Sequence, residues 1–318
     1  MPVLLLIIAC ALWALSFPLV KALHLEQAAR LPEASTLFFA SWMQWARFGL
    51  SAVLLLPLVI GRPRLRRSEM RQGLVLAFWG GTGMWILADG LAYTEASTSA
   101  FLTQAYCIIL PLLACLRSRR LPSFRVVVAT LLVVFGGAIL AGIQPGNFRL
   151  GRGEAETLLA AFLFTFQILA LENPRYEGNR GVIVSFVMFL GIAVMFLFVT
   201  VLTAPSLEAC VTAGASIQSF ILIAALALFC SVGAYVIMNS WQPRVSAIEA
   251  GLIYTSEPVF TAGYVLFLPA VLGAYIGQAY PNEPLTTPLI VGGTLIFAAN
   301  LLMQWRRPLQ LPATGPIP

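Results

Sequence analysis

The sequence predicts an all-α integral membrane protein, with ten transmembrane helices arranged as two inverted five-helix repeats. Three observations lead there: the composition, ten apolar runs of membrane-crossing length, and an arginine distribution that changes between the two halves. The chain has 318 residues, 59% hydrophobic and 10% charged, with a mean hydropathy of +0.89. Soluble domains carry about 25% charge, so a water-exposed surface cannot be built from this composition in the usual way. The net charge of +6 could point to nucleic acid. However, the basic residues sit in short gaps between apolar runs, which is the pattern of membrane topology rather than of a nucleic-acid surface. The five cysteines are scattered, with no CxxC pair, and His24 is the only histidine, so the chain offers neither a disulfide framework nor a zinc site, and no cofactor is expected.

A helix needs roughly 20 apolar residues to cross a bilayer. Ten runs qualify: 2–23, 36–60, 73–92, 96–117, 125–143, 154–172, 181–202, 217–239, 246–268 and 287–305. The first has no positive leading segment, and Lys21 lies at its far end, so it reads as a span rather than a cleaved leader. The gaps after the second, fourth, sixth and eighth runs, with the tail, hold Arg62, Arg64, Arg66, Arg67, Arg71, Arg117, Arg119, Arg120, Arg125, Arg175, Arg180, Arg244, Arg306 and Arg307. The opposite gaps hold only Arg30, Arg149 and Arg152. Basic loops stay in the cytoplasm, which predicts both termini there and a multi-pass protein of the plasma (inner) membrane.

The runs divide five and five, as 1–150 and 151–318. AYTEASTSAFLTQAYCIILP (92–111) and PRVSAIEAGLIYTSEPVFTA (243–262) occupy matching places, and an offset of 151 superposes Ala96 on Ala247, Tyr106 on Glu257 and Cys107 on Pro258. The gap after the second run has five arginines, whereas its counterpart at 203–216 has none. An odd number of spans per repeat turns the second copy upside down, and such inverted repeats place a transport site near the midplane between them.

Five stretches resemble the EamA-type branch of the drug/metabolite transporter superfamily. They are CALWALSFPLVK (10–21), WARFGLSAVLLLPL (45–58), the two segments around 92–116 and 245–262, and NEPLTTPLIVGGTLIFAANLL (282–302). Together they cover nearly the whole chain. The resemblance implies a transporter of metabolites, amino-acid-like compounds or drugs, often an exporter. The chain departs from the family pattern in three places. ETLLAAFLFTFQILALEN lacks the tryptophan and terminal lysine often seen in the sixth helix, RSRRL lacks the usual glutamate, and 269–286 carries an insertion.

Ionisable residues at mid-span are functional hypotheses, because inserting one costs about 2.5–3.5 kcal/mol. Arg47 and Glu257 are each the twelfth residue of their runs, close to the bilayer centre. Either faces a wet cavity, or they pair with each other; a purely structural Arg47 would instead tie its helix to a neighbour's carbonyls. Pro258 lacks an N–H, so the carbonyl of Tyr254 loses its helical partner. Freed backbone of this kind is tolerated where it is buried in protein or lines a cavity. Tyr254, Thr255 and Glu257 therefore read as a broken, hydrated patch offering a carboxylate and carbonyls to a solute, and Glu257 is a candidate for proton coupling.

Helical spacing adds Thr82, Trp85 and Asp89 on one face, Ser231, Tyr235, Asn239 and Gln242 on another, and Thr103, Tyr106 and Cys107 with adjacent Gln104 on a third. Trp13 and Phe17 share a face of the first run. Helix–helix hydrogen bonding is the alternative for each stripe. Lys21 and Asp89 lie near span ends, where snorkelling to the interface explains a charge without a site.

The leading function is a secondary transporter whose partners are a small solute and the lipid bilayer. No GxxxxGK[ST] run supplies a phosphate-binding loop. A membrane-embedded enzyme would need a reactive cluster, and only Asp89 with Glu257 could form a carboxylate pair, which their separation decides. A receptor without transport is the third class, and it predicts binding without flux.

Overall fold

The computed structural model describes residues 2–61, 64–118, 121–142, 150–245 and 247–304. Arg62, Arg119, Arg120, Arg149, Arg306, Arg307 and the polar tail lie outside the described residues. The described chain is helical throughout its apolar runs. In order, the helices are α1 (Pro2–Ala14), α2 (Ser16–Arg30), α3 (Thr36–Val59), α4 (Arg67–Gly90), α5 (Ala96–Thr103), α6 (Tyr106–Ser118), α7 (Phe124–Leu140) and α8 (Arg152–Leu171). They continue as α9 (Gly181–Thr203), α10 (Leu207–Thr212), α11 (Ile217–Ala225), α12 (Ala234–Trp241), α13 (Ala247–Tyr254), α14 (Ser256–Val265), α15 (Leu268–Ile276) and α16 (Thr287–Gln304). A stretch of wider π winding, Leu226–Gly233, joins α11 to α12.

Several ends follow from the local sequence. Ser35 and Ser216 accept the backbone N–H of Phe38 and Ser219 at 3.2 and 2.9 Å, so α3 and α11 each start on a capping hydroxyl. Gly277 adopts φ 68° just past α15 and stops it. The junction of α1 and α2 falls at Leu15, three residues before Pro18, and that of α13 and α14 at Thr255, three residues before Pro258. In each case the proline withholds the N–H that the preceding turn's carbonyl would have used.

Six of the described segments are long and apolar enough to cross a membrane: Pro2–Arg30, Thr36–Val59, Ala96–Leu113, Arg152–Leu171, Gly181–Thr203 and Ile217–Arg244. Ser256–Ile276, bent by 55° between α14 and α15, makes a seventh if taken as one span. The runs of α7 and α16 are shorter, and α4 is diluted by glycines and by Asp89. Those glycines are where helices meet closely. A Cβ at Gly80 would lie 2.6 Å from the Gln167 side chain, and one at Gly83 2.7 Å from the Phe164 ring, so α8 can approach α4 only across hydrogen atoms.

The packing order is simple. α3 lies along α9, α4 between α8 and α9, and α7 along α16, while α1 packs against α12, α13 and α14. Large apolar side chains such as Val53, Leu58, Val134, Phe135, Phe198 and Leu202 point outward, whereas Gln44, Arg47, Ser51, Thr157 and Thr165 are buried. That inversion of the soluble pattern fits a bundle solvated by lipid.

Polar contacts close both ends. At the arginine-rich end, the Glu69 carboxylate accepts from Arg180 Nε and Nη2 at 2.6 and 2.7 Å, tying α4 to the start of α9. Those hydrogen bonds hold the Glu69 carboxyl well below its ordinary 4.5, at about 2. At the other end, Lys21 pairs with Glu95 at 3.1 Å, and Arg152 pairs with Asp89. The segment 269–286 turns back over the same end. α15 packs on α2, and the Glu283 carboxylate accepts the N–H groups of Ala96 and Ser97 at 2.9 and 3.2 Å, which caps α5.

Candidate functional site

The α5–α6 and α13–α14 breaks and the α1–α2 junction converge on one cavity, of about 760 Å³ counting its open mouth. Trp13 and Phe17 come from α1 and α2, Met43 and Arg47 from α3, Met84 and Ala88 from α4, and Thr103 and Tyr106 from the ends of α5 and α6. Phe164 and Gln167 come from α8, Tyr235 and Met238 from α12, Tyr254 from the end of α13 and Glu257 from the first turn of α14. The wall is apolar and aromatic with a few polar groups, which is the usual make-up of a small-molecule site.

Each charged group is set by its helix. Arg47 is 4% exposed, and its Nε donates to Ser231 Oγ at 2.6 Å, in the π-wound stretch. Its guanidinium lies 5.0 Å from the Phe48 ring centre. Ser51 Oγ donates to the Arg47 carbonyl at 2.7 Å, one turn further along α3. Among the described residues the terminal guanidinium nitrogens have no protein hydrogen-bond partner. Among the described residues the Glu257 carboxylate likewise accepts no hydrogen bond and has no cation within 4.0 Å, while its backbone carbonyl accepts from Thr261 Oγ1 at 3.1 Å. Arg47 and Glu257 therefore face the same cavity without pairing.

The break beside Glu257 is filled from across the bundle. Gln104 Nε2 donates to the Tyr254 carbonyl at 3.2 Å, the group expected to lose its helical partner to Pro258. The amide's other end accepts from Tyr106 Oη at 3.1 Å. Tyr254 Oη donates to Gln242 Oε1 at 2.6 Å, which fixes the ring. Trp13 stands between the tyrosines, 5.1 Å from the Tyr235 ring and 5.5 Å from that of Tyr254.

Of the sequence-predicted site residues, Glu257, Tyr254, Arg47, Trp13, Tyr106 and Tyr235 line the cavity. Gln104 and Thr255 are buried directly behind it. The remaining three lie elsewhere. Asp89 is paired with Arg152, whose guanidinium also lies 4.2 Å over Tyr93, so Asp89 and Glu257 do not form a carboxylate pair. Trp85 packs 5.6 Å from Phe196 and donates to the Leu37 carbonyl at 3.4 Å. Asn239 donates to Ser185 Oγ at 2.9 Å, holding α12 on α9. Residue periodicity missed Gln167, a lone amide in an apolar run, whose Nε2 is buried without a partner among the described residues. Being the only amide between Thr157 and Glu172 was the available signal.

Residues 1–142 match the model of the EamA-like transporter family. The resemblance read from the sequence is borne out on that segment, where the chain is similar to an EamA-like transporter. No curated protein matches the chain. Among solved structures, 24 chains match. One crystal structure covers 93% of this chain and 96% of its own, with a TM-score of 0.54 and 14% identity, a likeness of fold alone.

Proposed function

We propose that the chain is a secondary transporter of the plasma membrane, an exporter or permease, that moves a small metabolite, amino-acid-like compound or drug by alternating access. In this reading ten spans form two inverted five-helix repeats, 1–150 and 151–318, with both termini in the cytoplasm. The solute binds between them, where Glu257 is the binding or proton-coupling group. Arg47, Trp13, Tyr106, Tyr235 and Tyr254 complete the contact surface. Gln104 and Thr255 shape the broken backbone behind it, and Trp85, Asp89 and Asn239 act from outside the cavity by holding the helices that line it.

The observation that carries the reading is the Glu257 carboxylate. It sits in the cavity at the start of a half-helix, with no partner among the described residues. A buried charge left uncompensated destabilises a fold, so its retention argues for a ligand or a proton as the missing partner. The paired charges at Asp89 and Glu69 supply the contrast within the same chain.

The test is flux. Purified protein in proteoliposomes is assayed with a labelled metabolite panel, with and without an imposed pH gradient. Saturable uptake or counterflow of at least one solute supports the reading, and stimulation by the gradient supports coupling. Binding without flux would support a receptor instead.

A further inference from the structure

We infer that a groove along the first half of α4 binds an anionic phospholipid, its phosphate held by Arg67 and Arg71 and an acyl chain lying against Leu74, Phe78 and Trp79. The inference needs only that the chain sits in a bilayer, and it is independent of what the central cavity carries. α4 presents Arg67, Arg71, Leu74, Val75, Phe78 and Trp79 at steps of three and four, so they form one stripe along its surface. All six line a recess of about 710 Å³ counting its open mouth, separate from the central cavity. Leu74 and Phe78 are 52% and 55% exposed, and Trp79 is half-buried. The Trp79 ring stacks on Phe166 of α8 at 4.6 Å and meets Phe78 edge-on at 5.0 Å, which gives the recess a fixed aromatic floor.

An apolar recess alone would name no occupant; the arginines do. Neither guanidinium makes an ion pair or a hydrogen bond with a described residue. The acid nearest in sequence, Glu69, is buried and already taken, accepting from Arg180 Nε at 2.6 Å and from the Arg66 N–H at 3.0 Å. Neighbouring Arg66 donates to the Gly178 carbonyl at 3.3 Å, so Arg67 and Arg71 are set apart from it. Depth fits one lipid molecule. At about 1.5 Å per residue, Arg71 stands about 6 Å along α4 from Arg67, and Trp79 about 12 Å further. The hydrocarbon of one leaflet is about 15 Å deep, half of a core of about 30 Å. The charges therefore lie at headgroup level and the apolar stripe ends within the same leaflet. The guanidinium fork matches phosphate oxygens, and basic residues at the membrane surface are how anionic headgroups are held. A zwitterionic lipid brings its own ammonium beside the phosphate and leaves the two positive charges uncompensated.

The experiment reads the groove through Trp79. The full chain is reconstituted in mixed bilayers of phosphatidylcholine and phosphatidylglycerol, with one or the other lipid brominated on its acyl chains at equal mole fraction. Bromine quenches tryptophan on contact, and the Trp79 share is the difference between the wild type and Trp79→Phe. That share should be quenched roughly three-fold more by brominated phosphatidylglycerol than by brominated phosphatidylcholine. In Arg67→Gln/Arg71→Gln the ratio should fall to about one. In Arg64→Gln/Arg125→Gln, which removes the same charge from the same end but outside the groove, the preference should stay. If the double variant does not fold, Arg71→Gln and the wild-type ratio decide. Equal quenching by the two lipids in the wild type, a preference that survives loss of Arg67 and Arg71, or an equal loss in the control overturns the inference. A second copy of the chain seated on this face would shield Trp79 from both lipids, and absence of quenching by either overturns it as well.

Discussion

Two helices break at the cavity, α5–α6 at Gln104–Ala105 and α13–α14 at Thr255, and the offset of 151 brings the two places together. They break for different reasons. At Thr255 the cause is local, since Pro258 cannot donate to the Tyr254 carbonyl. At Gln104 no proline stands within the next turn, because Pro111 lies well inside α6. Instead the Gln104 side chain leaves its own helix and donates to the carbonyl that the other break has freed. One discontinuity is written in a single residue, while the other exists through its partner. Together they place backbone ends, rather than continuous helix, against Glu257.

The largest effect tests whether the two breaks belong to inverted copies. A cytoplasm-active reporter fused within 61–72 should work, and one fused within 269–286 should be silent, because the arginines cluster in the first segment and are absent from the second. Activity at both places would end the inverted-repeat account and make the coincidence of the breaks accidental.

A second experiment sharpens the relation between the breaks. Gln104→Leu removes the donor and leaves the Tyr254 carbonyl unsatisfied in a buried setting, which costs on the order of 1–3 kcal/mol. The measurement is the melting temperature of the detergent-purified protein. Pro258→Ala restores a backbone donor for that carbonyl, so the double variant should recover part of the loss, and a double-mutant cycle should report coupling. Additive effects would separate the two breaks.

The smallest effect concerns a charge that does have its partner. Glu69 is held at about 2 by Arg180, below its ordinary 4.5. The unfolded chain therefore binds more protons than the folded one in that interval. The pair's contribution is fully present above 4.5 and is lost as pH falls through the interval toward about 2. Melting temperatures followed across that window should fall less steeply for Glu69→Gln than for the wild type. Parallel curves would remove Glu69 from the acid response, and its contrast with the unpaired Glu257 would lose its basis.

Much of this was legible in the sequence, because each feature was local. Apolar runs set the helices, Pro258 set the break at Thr255, and mid-span depth selected Arg47 and Glu257. The rest depended on partners far along the chain. Nothing near Asp89 announces Arg152, which diverts it from the cavity. Trp85 and Asn239 share helix faces with lining residues, yet Phe196 and Ser185 on α9 take them up. Gln104 looked like one more polar neighbour of Tyr106, and its role depends on a carbonyl in the other half of the chain. The glycines of α4 read as weak helix formers, and only the closeness of Phe164 and Gln167 gives them a purpose.

Glu257→Gln tests the central claim most directly, since it keeps the shape and hydrogen-bonding capacity of the side chain but cannot titrate. The measurement is flux in proteoliposomes at equal reconstituted protein, with and without an imposed pH gradient. The account predicts that the variant loses gradient-driven accumulation and its pH response while retaining some solute exchange, with weaker solute affinity if the carboxylate also binds a cationic group. Wild-type flux together with a wild-type pH response in the glutamine variant would contradict it, leaving Glu257 as a hydrogen-bonding residue at a broken helix.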